Sequence, residues 1–186
     1  MKLFGTAIIL AGGKSTRMGF DKALMKIRGK PIVEIIIQQL RAVFEDIIVV
    51  TNKSEEFTGL DVIVTEDILK GSGPLGGIHA GLMLSKSKYA FLAACDMPVI
   101  SEKGDWIEPF HALYNKDLAY DIKTNVQSGK YKIFDVIREK YIVKISEKKV
   151  REYSPGLDIF INLNHIKDLE EFKTSMEAGG IDSALL

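Results

Sequence analysis

A chain of 186 residues, 46% apolar and 27% charged, has the length and composition of one ordinary globular domain with a real core, which excludes intrinsic disorder. Lysine plus arginine equals aspartate plus glutamate at 25 each, so no overall basic field favours nucleic acid or an anionic membrane. A single cysteine rules out an internal disulfide, no apolar run approaches the roughly 18 residues of a membrane span, and the N-terminus reads as a strand rather than a signal peptide. A cytoplasmic protein is expected.

In chain order, Thr6 to Ala11 is a continuous apolar strand that empties into glycines. Behind Pro31, a residue suited to a helix's first turn, Val33, Ile36, Ile37, Leu40 and Phe44 recur at helical spacing, which predicts a helix from Ile32 to Phe44. Strands follow at Asp46–Thr51 and Leu60–Val64, then a glycine-opened helix at Gly76–Leu84 and a strand from Tyr89 to Cys95 that ends at Asp96. The second half is less regular. It predicts a helix from Pro109 to Val126, a short helix at Ile133–Ile137, strands at Tyr141–Ile145 and Phe160–Leu163, and a final helix after Asn164 with Ile166, Leu169, Phe172 and Met176 on one face. Buried strands alternating with helices imply a mainly parallel sheet covered on both faces, an α/β/α sandwich in three layers. Ligands of such sheets bind beyond the carboxyl ends of the strands, where Gly12 to Lys22, Asn52, Asp67 and Asp96 all fall.

The run Gly12-Gly-Lys-Ser-Thr16 imitates a phosphate-binding P-loop, but that loop needs a glycine where Ile8 stands. Two readings of the segment remain. Gly12 and Gly13 can bring backbone amides close to an anion while Arg17 and Lys22 neutralise phosphate charge, or the segment is a glycine turn with two solvated cations. Gly71-Ser-Gly-Pro-Leu-Gly76 matches G-x-G-x-x-G, and Asp96 lies 20 residues beyond Gly76. The match argues less for a dinucleotide fold than it first suggests, because Thr65 to Lys70 separates the glycines from the strand and Pro74 sits in the turn. Asp96, delivered at a strand tip before Met97-Pro98, suits either a Mg²⁺ ligand or a turn aspartate. His79, His111 and His165 share no metal-ligand spacing, and no chemistry is assigned to them.

Taken together, Leu10-Ala-Gly-Gly-Lys-Ser-Thr-Arg-Met-Gly19, Asp21-Lys22, Thr51-Asn52, Glu66-Asp67, Gly73-Pro-Leu-Gly-Gly77 and Cys95-Asp-Met-Pro98 resemble the molybdenum cofactor guanylyltransferase family. The resemblance extends to Glu108–Tyr114 and Phe160–Asn164, and so over nearly the whole chain. It implies a single nucleotidyltransferase domain with a Rossmann-like mixed sheet, residues 1–101 binding GTP and residues 104–186 binding the acceptor. It implies transfer of GMP from Mg-GTP to molybdopterin-bound molybdenum with loss of pyrophosphate, molybdoenzymes or cofactor-biosynthesis proteins being the conceivable further partners. By position, the backbone of Leu10, Ala11, Gly12 and Gly13 lines the nucleotide and Lys22 meets its phosphates. Arg17 helps the leaving pyrophosphate, Asn52 and Asp67 face guanine and ribose, Asp96 holds Mg²⁺, and Asn162 and Asn164 face the pterin. The family pattern is broken at one place, where only Glu102-Lys-Gly-Asp-Trp-Ile107 stands in for a helix and a further strand, so the acceptor half is expected to be shortened near residues 101–107. Cytidylyl transfer, and a GTP-binding accessory protein of molybdoenzymes without turnover, are the competing expectations.

Overall fold

The computed structural model describes residues 4–12, 26–27, 29–94, 109–138, 140–152, 167, 168, 170 and 174. The chain divides into two compact units: Met1–Lys14, Leu40–Ala94 and Pro109–Ile142 form one, and Ser15–Gln39, Cys95–Glu108 and Val143–Leu186 the other.

The first unit is built on a five-stranded sheet. Its strands are β1 (Phe4–Leu10), β4 (Phe44–Val50), β5 (Ile63–Thr65), β6 (Tyr89–Ala94) and β7 (His111–Asn115), in the order β5-β4-β1-β6-β7. The first four run parallel, and β7 returns antiparallel to β6 with Ala93 opposite His111 and Tyr89 opposite Asn115. Residues of both parities are buried in β1 and β4, among them Ala7, Ile8, Ile9, Ile47, Ile48 and Val49, which is why these strands read as unbroken apolar runs. The α/β class and the mixed, mainly parallel sheet are those expected from the sequence.

On one face of the sheet, α2 (Pro74–Leu84) packs beside α3 (Leu118–Gln127) and α4 (Ile133–Ile137) over a core of Ile8, Ile48, Val50, Leu75, Ile78, Leu82, Leu92 and Ile122. Helix α2 is apolar all round, and Leu75 through Leu82 are all buried. Gly81 lets it approach the strands, because a Cβ there would stand 2.5 Å from Cγ2 of Ile8.

The second unit's described parts include the short hairpin of β2 (Lys26–Ile27) and β3 (Lys30–Pro31), turned by Gly29 at φ 84°. Next comes α1 (Ile32–Val43), whose last four residues belong to the first unit, and later the single-turn helix α5 (Glu147–Arg151). Among the described residues no helix is long and apolar enough to cross a membrane.

Two sequence expectations fail. The expected helix Pro109–Val126 is divided: His111–Asn115 is strand β7, and the helix begins only at Leu118. Pairing with β6 supplies the backbone partners of that stretch, and the Asn115 side chain accepts from the Asp117 N–H at 2.9 Å, turning the chain before α3. The expected strand Tyr141–Ile145 is exposed irregular chain, with Tyr141 94% accessible; apolar alternation makes no strand without a neighbouring ladder. The expected strand Phe160–Leu163 lies outside the described residues, while Lys167, Asp168, Glu170 and Thr174 of the final helix are helical.

Candidate nucleotide site

Three strand ends form a common rim. The Ala11 N–H donates to the Val50 carbonyl and the Thr51 N–H to the Thr65 carbonyl, both at 2.9 Å, so β1, β4 and β5 remain tied together up to their last residues. Leu10, Ala11 and Gly12 therefore emerge beside Thr51 and Asn52. A Cβ on Gly12 would lie 3.6 Å from the Thr51 Cα and the Val50 carbonyl oxygen, which is ordinary contact, so this glycine is not demanded by crowding from the described residues. The Lys53 N–H donates to Thr51 Oγ1 at 3.1 Å and shapes the turn that carries Asn52.

The loop after β5 brings the site's acid. Lys70 Nζ lies 3.0 Å from Glu66 Oε2 and donates to Asn52 Oδ1 at 3.4 Å, linking this loop to the end of β4. Between these partners, Oδ1 of Asp67 is buried with no hydrogen-bond partner. Burial pushes the Asp67 carboxyl above the usual carboxylate range, while the Leu69 backbone N–H and the charges of Lys70 and His79 pull it back down.

The glycine-rich stretch that follows is what holds this carboxyl in place. Gly71 and Gly73 take φ of 81° and 59°, values that residues with a Cβ rarely adopt, and Pro74 then opens α2. Ser72 is buried, with its hydroxyl and N–H both donating to the Leu69 carbonyl. Gly76, in the first turn of α2, lies directly against Asp67: a Cβ there would come within 2.1 Å of Asp67 Oδ1. The G-x-G-x-x-G match is thus a loop and helix start that seats a carboxylate, separated from β5 by residues 66–70.

Of the residues singled out from sequence, Leu10, Ala11, Gly12, Asn52 and Asp67 are brought to this rim. Gly13, Arg17, Lys22, Asp96, Asn162 and Asn164 lie outside the described residues. Among the described residues no three side chains of metal-ligating type cluster together. Sequence reasoning missed Gly76 and His79. Gly76 stood within a quoted motif without a role, and a lone histidine without ligand spacing carried no signal.

Residues 7–104, which include strands β4, β5 and β6 of this mixed sheet and the Asp67 carboxylate seated on the glycine-rich helix start, match the family model described as "MobA-like NTP transferase domain", which places the chain in the nucleotidyltransferase class. The relative "Probable molybdenum cofactor guanylyltransferase" of Peptoclostridium acidaminophilum is 39% identical over 92% of this chain and 89% of its own. "Molybdenum cofactor guanylyltransferase" of Syntrophotalea carbinolica is 37% identical over 91% of each. In fold, the crystal structure of molybdopterin-guanine dinucleotide biosynthesis protein A from Archaeoglobus fulgidus superposes with a TM-score of 0.79 at 22% identity, covering 93% of this chain and 99% of that one. The chain belongs to the molybdenum cofactor guanylyltransferase family and is a transferase enzyme.

Proposed function

We propose that the enzyme transfers GMP from Mg-GTP to molybdenum-bearing molybdopterin, forming the guanine dinucleotide form of the cofactor and releasing pyrophosphate. One observation carries the base assignment: Asp67 presents a buried carboxylate oxygen without a partner, at the rim where β1, β4 and β5 end. A carboxylate only accepts hydrogen bonds, and guanine offers N1–H and its exocyclic amine side by side, a pair that adenine and cytosine do not present.

The chemistry needs no protein nucleophile. A terminal phosphate oxygen of the pterin attacks the α-phosphorus of GTP, and the bond from that phosphorus to the bridging oxygen of the β-phosphate breaks. Roles follow the family positions. The backbone of Leu10, Ala11, Gly12 and Gly13 lines the nucleotide, Lys22 and Arg17 meet its phosphates, Asn52 and Asp67 its base and ribose, and Asn162 and Asn164 the pterin. Asp96 is the residue proposed to hold Mg²⁺, an ion that neutralises phosphate charge when bound. One carboxylate with phosphate oxygens and water completing the shell suits so hard a cation.

Thermal denaturation with each nucleotide tests this reading, because a ligand that binds only the native state stabilises it by mass action. GTP with Mg²⁺ is expected to raise Tm well above the shifts given by CTP, UTP or ATP, and chelation of Mg²⁺ to shrink the GTP effect. Equal shifts for the four nucleotides would overturn the guanine assignment.

A further inference from the structure

Two side-chain atoms among the described residues are buried without a hydrogen-bond partner, Oδ1 of Asp67 and Nδ1 of His79. They belong to one neighbourhood. His79 lies three residues beyond Gly76 on α2, one turn further along the helix flank that bears the Asp67 carboxyl, and each group feels the other's charge. His79 is 6% accessible, on a helix whose sheet-facing glycines, Gly77 and Gly81, lie against Leu10, Val50 and Ile8. A polar ring in so apolar a helix is costly to bury unpaired.

We propose that His79 positions Asp67 for base recognition, its Nδ1 and the Asp67 Oδ1 becoming each other's hydrogen-bond partners when guanine occupies the carboxylate. This rests on the guanine reading of Asp67 given above. The capacities match: a neutral imidazole protonated at Nδ1 donates there, and each carboxylate oxygen can accept two hydrogen bonds, so guanine and His79 can share Oδ1. The role is one of orientation, with no contact to the reacting phosphorus.

The charged surroundings of the pair set its pH dependence. Asp67 has Lys70 and His79 near it, and Glu66 is engaged by Lys70; His79 faces Asp67 from the loop and Lys123 from α3, while Ile8, Leu10 and Val50 lie against the glycines of α2. Burial raises the Asp67 carboxyl and lowers the His79 imidazole, so protons added on the acid side reach both. Affinity for GTP is then lost as pH falls through the Asp67 titration. A cationic imidazole opposes that protonation, so removing it moves the loss to higher pH.

The test measures Kd for GTP and for ATP between pH 8 and pH 5 in the wild type and in His79→Leu, His79→Asn and Asp67→Asn. His79→Leu is expected to weaken GTP about tenfold near neutrality, leave ATP unchanged and shift the acid-side loss of GTP binding upward. His79→Asn, which keeps a donor near Nδ1 without the charge, is expected to restore most of the affinity but not the pH midpoint. Variants that change Tm while leaving the GTP-to-ATP ratio and the midpoint as in the wild type would overturn the positioning role. No preference for GTP in the wild type, or an unchanged preference in Asp67→Asn, would instead overturn the guanine reading beneath it.

Discussion

Gly76 has no side chain because the Asp67 carboxylate occupies the space one would fill. In Gly76→Ala the new Cβ would stand 2.1 Å from Oδ1, and the loop side chain gives way more readily than the helix backbone. Alanine also favours a helix over glycine by about 0.5–1 kcal/mol, which offsets part of the clash. The expected outcome is a Tm within a few degrees of the wild type and a Kd for GTP at least tenfold weaker by titration calorimetry. Lys22 makes a different kind of prediction. A cation near the α- and β-phosphates stabilises charge that grows as pyrophosphate leaves, so Lys22→Ala is expected to lower kcat far more than it raises KM in steady-state assays. A change in KM alone would make Lys22 a binding residue only.

At the scale of elements, β7 joins the sheet antiparallel to β6 and brings His111 over Phe91, the rings 4.9 Å apart and edge to face. Burial there pulls the His111 imidazole down from 6.5 to about 4. The sign follows from linkage. Between those two values the unfolded chain binds a proton that the folded chain does not, so stability is full above pH 6.5 and declines as pH falls toward 4. The loss amounts to at most about 3.5 kcal/mol, since each pH unit between the folded and unfolded titrations is worth about 1.4 kcal/mol. His111→Phe keeps an aromatic ring against Phe91 and removes the proton, so its Tm is expected to fall less than the wild type's between pH 7 and pH 4.5. Parallel curves in differential scanning calorimetry would show that His111 contributes nothing to the acid sensitivity.

For the whole molecule, the family resemblance implies a helix and a further strand where the sequence has only Glu102–Ile107. The alignment with the Peptoclostridium acidaminophilum relative runs over 197 residues yet includes 92% of this 186-residue chain, or about 171, leaving some 26 positions of the relative without a counterpart. Among the described residues β7 is the last strand on its side of the sheet, and Leu113 on it is 62% accessible. An open edge with an exposed apolar side chain invites pairing with another chain, and natural sheets blunt or cover such edges. The purified native protein is therefore expected to exceed the 20.7 kDa of this sequence by the mass of a helix and strand inserted between Ser101 and Gly104. An intact mass of 20.7 kDa by mass spectrometry would show that no such segment is inserted there.

Sequence alone determined the α/β class, the parallel strands β1, β4, β5 and β6, and the arrival of Leu10, Ala11, Gly12, Asn52 and Asp67 at one rim. These are local or periodic properties: unbroken apolar runs mark strands buried on both faces, and in parallel sheets the loops that bind ligands leave from the carboxyl ends. Tertiary structure decided β7, because His111–Asn115 becomes a strand only through the ladder that β6 offers, and it left Tyr141 to Ile145 irregular for want of one. It also decided that Gly76 and His79 belong with Asp67. Their meeting depends on where α2 docks against the loop after β5, a matter of contact across nine to twelve residues of chain that no spacing rule encodes.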